Sequence, residues 1–147
     1  MSTVAALFSL LAAALNALAA GLGAWRWYRV EPSRAFWILA RAGQFSGVAL
    51  AVCAGALAAA GFHPTGKLFW LYALLPVAVS FVAEQLRVIS AQAVLDARGL
   101  EDAQAVGRLD EAGQRSVVLA IVRREMATIA LAAVVIVFLA LRAWGTS

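Results

Sequence analysis

Residues 4–25 carry no charged side chain, and nothing in that run asks for water. As an α-helix at roughly 1.5 Å per residue, the run is long enough to cross a hydrocarbon layer roughly 30 Å thick. Three more stretches are long and mostly apolar, at about residues 36–60, 68–88 and 126–144, with few charges among them (Arg41, Glu84, Arg87 and Arg142). The chain is 64% hydrophobic and only 14% charged. A soluble domain is about half apolar and a quarter charged, so this excess does not fit inside one small core. The expectation is an all-α integral membrane protein: one domain over residues 1–147, folded as four antiparallel transmembrane helices. A cleaved signal peptide needs a cationic start, but the first cation here is Arg26. The first span therefore reads as a retained helix.

Residues 68–98 change solvent partway along. They begin as a charge-free span, mix charged with apolar residues from Glu84 onward, and meet no turn signal before Gly99. One helix that leaves the bilayer is the simplest reading, with Pro76 expected to kink it. Gly107 breaks the connection after a short helical turn at 101–106, and Asp110 is placed to cap a helix that runs into the fourth span. Helices 3 and 4 of the bundle thus extend into a cytoplasmic helical hairpin at about residues 89–125. Its segment 86–125 holds six arginines and six acids. That zero sum argues against a polybasic lipid clamp or a nucleic-acid surface. Leu86, Ile89, Val94, Val118, Ile121 and Val122 suggest a stalk packed on itself or on a protein partner.

Cations set the orientation. Ten of the twelve lie within 26–41 and 87–124, against Lys67 and Arg142. The positive-inside rule puts loops 26–35 and 89–125 in the cytoplasm and both termini outside a cell (inner) membrane. All five tryptophans fall at span ends, as an interfacial belt requires: Trp25, Trp27, Trp37, Trp70 and Trp144.

Small residues mark the packing faces. Ser9, Ala13, Asn16, Ala20 and Gly23 share one face of the first span. Gly43, Gly47, Ala51, Gly55 and Ala59 form a ladder in steps of four on the second. Gly43 and Gly47 make a GxxxG pair, which serves packing within the chain or a homo-oligomer.

Intramembrane polar residues fall in two tiers. Arg41 and Glu84 lie roughly 6–9 Å inside the inner surface, and Asn16, Gln44 and Ser80 roughly 12–14 Å. A lone charge in lipid is costly, so an Arg41–Glu84 ion pair above a hydrogen-bonded Asn16–Gln44–Ser80 tier is one reading. In the other, Arg41 snorkels to the surface and Glu84 pairs with Arg87 one turn on. The tier is either a structural lock or the entry site for a proton or small solute.

No catalytic set is visible. His63 is the only histidine and Cys53 the only cysteine. Neither a bis-histidine haem nor a cysteine-based metal site fits within one chain, so no cofactor or metal is expected. His63, beside Pro64, reads as a solvated turn residue, and Cys53 as a small apolar one. The expected function is that of a non-enzymatic accessory, assembly or scaffolding subunit acting through the hairpin. The alternative is a small transporter or proton-coupled carrier built on Arg41 and Glu84. A quinone-binding or redox subunit is a third reading, without ligands of its own.

Overall fold

The computed structural model describes residues 2–147; Met1 and the Ser2 side chain lie outside the described residues. Five helices follow in order: α1 Ser2–Arg29, α2 Arg34–Ala59, α3 Phe69–Ala97, α4 Ala103–Gly107 and α5 Glu111–Trp144. Among the described residues there is no strand. The four long helices are long and apolar enough to cross a membrane.

Local chemistry sets the helix ends. Three of them close in the same way. An amide two or three residues past the helix returns to a carbonyl five residues back, and the residue just before that amide is left-handed. After α2 this is Phe62 N to Leu57 O at 2.9 Å around Gly61, φ 77°. After α3 it is Leu100 N to Leu95 O at 3.0 Å around Gly99, φ 67°. After α1 it is Glu31 N to Arg26 O at 3.1 Å around Val30, φ 54°, where a β-branched residue takes the place glycine usually fills. Ser33 Oγ accepts from Phe36 N to start α2, Asp102 caps α4 on Ala105 N, and Asp110 caps α5 on Gly113 N.

α1 packs against α2 and α5, and α3 packs against α5 and α2. At one end, Gly66 N donates to Thr146 O at 3.0 Å and ties the start of α3 to the end of α5. At the other, Arg98 donates to Ser116 Oγ at 2.9 Å and ties the end of α3 to the start of α5. Small residues fill the interior. Ala5, Ala12, Leu50, Ala54, Phe69, Ala73 and Ala140 form one cluster; Phe36, Ala40, Ala83, Met126 and Ile129 form another. Large side chains such as Leu7, Phe45, Phe81 and Phe138 face outward, an arrangement suited to lipid.

All five seam residues of α1, from Ser9 to Gly23, are buried. The ladder on α2 holds only in its first half. Gly43 and Gly47 are buried, Ala51 is half-buried, and Gly55 and Ala59 are exposed. A step of four advances about 40° past a full turn of a 3.6-residue helix, so a strict ladder winds off the contact face. The buried stripe instead runs Gly43, Gly47, Leu50, Ala54, Leu57. Pro76 does not interrupt α3; it is buried against α2, where a Cβ on Gly47 would lie 3.2 Å from the proline ring.

Past the apolar spans, α3 and α5 stay together through Val94, Leu95 and Val117, all buried. Leu86, Ile89 and Val118, expected in that seam with Val94, are exposed. Ile121 and Val122 are half-buried.

Candidate functional site

Arg41 and Glu84 meet between α2 and α3. One guanidinium nitrogen lies 2.8 Å from Glu84 Oε1 and the other 3.4 Å from Oε2. Gln44 stands one turn after Arg41 and completes the set. Its amide donates to Glu84 Oε1 at 2.8 Å, and its carbonyl accepts from Arg41 at 2.7 Å. Arg87 approaches Glu84 Oε2 from the next turn of α3, with Nε at 3.2 Å. Its guanidinium also lies 5.5 Å from the Trp37 ring centroid. The ion pair of the first reading is present together with the Glu84–Arg87 pair of the second: Glu84 lies between Arg41 and Arg87. Arg41 keeps 45% of its side-chain exposure and Glu84 26%, so the pair sits at the rim of the packed interior.

Glu125 of α5 is half-buried and close enough to Arg87 and Glu84 for their charges to act on it. With it the cluster holds two cations and two anions. By its position in the sequence Glu125 belongs with the hairpin acids. Its place immediately before the fourth span, which carries no charge until Arg142, is the signal that links it to this level instead.

The deeper tier is not one network. Asn16, 1% exposed, donates to Ala12 O at 2.9 Å and to Gly43 O at 3.0 Å. Gly43 permits this: a Cβ there would stand 2.8 Å from Asn16 Oδ1. Gln44 turns toward the carboxylate, a stronger acceptor than a neutral amide or hydroxyl. Ser80 Oγ is buried with no partner. Asn16, Gln44 and Ser80 border one enclosed void of about 10 Å³, room for about one water. Gly43 thus faces α1 and Gly47 faces α3, and the close approach that GxxxG permits is used inside the chain.

Beyond this void lie Ala12, Leu50, Ala54, Leu57, Phe69, Ala73 and Ala140, all apolar and buried. Phe62, Phe69 and Trp70 close that end with edge-to-face ring contacts 5.0–6.3 Å between centroids. His63 is exposed in the turn beside them, and Cys53 is a half-buried free thiol on α2. Among the described residues, no three His, Cys, Asp or Glu side chains converge as a metal site. The Glu84 carboxylate thus accepts from one guanidinium and one amide, with the Arg87 guanidinium beside it, an arrangement that joins α2 to α3. The chain matches no protein-family model, no curated protein and no solved structure.

Proposed function

We propose that this chain is a non-catalytic, multi-pass membrane protein. In this reading four antiparallel spans hold up a cytoplasmic hairpin, and the hairpin meets a protein partner as an accessory, assembly or scaffolding subunit. One observation carries the reading. α3 and α5 continue together beyond their apolar stretches as an ordered helix pair, with their own buried contacts at Val94, Leu95 and Val117 and a capped connector between them. A simple loop would join two spans without such packing. The Arg41–Gln44–Glu84 set then acts as a lock that fixes α2 against α3 where the hairpin emerges.

The second reading, a small solute or proton carrier, draws on the partial exposure of Arg41 and Glu84. It needs a wet path through the layer of Leu50, Phe69 and Ala140, and the packing there favours the first reading. Crosslinking in native membranes separates the two. Under the scaffold reading, reversing Arg108 and Arg115 to Glu abolishes a specific crosslinked species, and Glu84→Gln retains it. Retention in the reversed variant, together with loss of a transport phenotype in Glu84→Gln, would sink the scaffold reading.

A further inference from the structure

The interior of the bundle holds a small polar cavity of about 10 Å³, walled by all four long helices. Asn16 of α1, Gln44 of α2 and Ser80 of α3 bring its polar groups. On the α5 side its walls, Ile129 and Ala133 among them, are apolar.

Each of the three polar residues keeps hydrogen-bonding capacity that the protein does not use. Ser80 Oγ is buried and meets no partner. A helical serine or threonine often satisfies itself on a carbonyl of its own preceding turn. Ser46 does so on Gly43 O at 2.6 Å, and Thr128 on Arg124 O at 3.1 Å. Ser80 does not, and the cavity is the space it borders. Asn16, 1% exposed, uses its side-chain nitrogen twice, on Ala12 O and Gly43 O. Those two bonds fix which way the amide points, so Oδ1 is an acceptor, and no hydrogen bond among the described residues ends on it. Gln44 Nε2 gives one hydrogen to Glu84 Oε1 and retains the other.

Size and chemistry together select the ligand. A water needs roughly 10–15 Å³ of such space and two to four polar partners. The cavity admits one water and no larger solute. A metal cation of that size would call for about six oxygen ligands, and only Asn16 Oδ1 and Ser80 Oγ are uncommitted. We infer that the cavity binds a single water molecule. The water donates to Asn16 Oδ1 and accepts from the Ser80 hydroxyl and from the second hydrogen of Gln44 Nε2. Three bonds are the usual complement of a buried water. It joins α1, α2 and α3 where their side chains do not bond one another directly, and through Gln44 it ties the Glu84 set to α1. This site stands whether or not the hairpin has a protein partner.

Solid-state NMR of the full chain in lipid bilayers tests the assignment. Asn16 is the only asparagine, so asparagine labelling marks a single side chain. Magnetisation that starts on water protons should reach the Asn16 side-chain carbonyl carbon at short mixing times. Ser80→Val exchanges the hydroxyl for methyl groups that fill the cavity, and should reduce this transfer several-fold. Ser46→Ala removes a hydroxyl that shares Gly43 O with Asn16 but does not border the cavity, and should leave the transfer unchanged. Equal transfer with and without Ser80→Val overturns the proposal, as does equal loss in Ser46→Ala. A density map of the unaltered chain decides the matter if Ser80→Val misfolds. It should show one isolated peak about 2.7–3.2 Å from both Ser80 Oγ and Asn16 Oδ1. A map that resolves both side chains and shows no such peak overturns the assignment.

Discussion

Val30 holds a backbone conformation that crowds its branched side chain, at φ 54°. A left-handed L-residue costs about 1–2 kcal/mol, and a β-branched one lies at the upper end. The hydrogen bond from Glu31 N to Arg26 O and the ion pairs of Glu31 hold the turn in place regardless. Val30→Gly removes the clash and frees the unfolded chain, two effects of opposite sign. The net expectation is a stabilisation of about 0.5–1 kcal/mol, seen as a higher Tm in detergent. A lower Tm would mean that the valine side chain packs more than it strains. This turn was not legible in the sequence, because valine is the residue least suited to signal it. The turn at Gly99 and the cap at Asp110 were legible, because there the residue type and the geometry agree.

Among the helices, the Arg41–Glu84 tether binds α2 to α3, and Gln44 shares both partners. Depth counting alone brings Arg41 and Glu84 to one level. It misassigns Gln44 to the deeper tier, since an amide one turn from an arginine reaches up as readily as across. It also makes Ser80 and Asn16 partners, although Asn16 finds backbone carbonyls nearer. Side-chain reach exceeds one helical turn, so depth ranks polar residues without pairing them. The tether predicts non-additive stability. Arg41→Leu or Glu84→Leu alone leaves one member of the pair without the other, and the double variant removes both. Unfolding titrations of the four proteins should give a coupling energy on the order of 1 kcal/mol, reduced from a fully buried pair by the exposure of Arg41. Additive losses would mean that Glu84 works through Arg87 and that Arg41 is dispensable. The same logic explains the ladder on α2. Its spacing names the helix that packs but not how far along the contact holds, because steps of four drift off a 3.6-residue repeat.

For the molecule as a whole, the membrane class was legible because four helices are long and apolar enough to cross a bilayer. Orientation rests on a separate physical argument. Ten cations at one end resist transfer across the bilayer far more than the two at the other. That argument predicts the outcome of a labelling experiment. Cys53 is the only cysteine, so Cys53→Ala supplies a thiol-free background. In it, Thr65→Cys, Gly107→Cys and Ser147→Cys each place one thiol in a segment between or beyond the long helices. Thr65 and Gly107 are exposed, and Ser147 ends the chain. A membrane-impermeant maleimide applied to intact cells should modify the thiols at 65 and 147. The thiol at 107 should react only after the membrane is opened. The reversed pattern would put the arginine-rich end outside and remove the cytoplasmic hairpin from the proposed function. Modification of all three in intact cells would mean that neither α3 nor α5 crosses the bilayer. The exposed Phe81 and Phe138 would then need a protein surface, not lipid, to cover them.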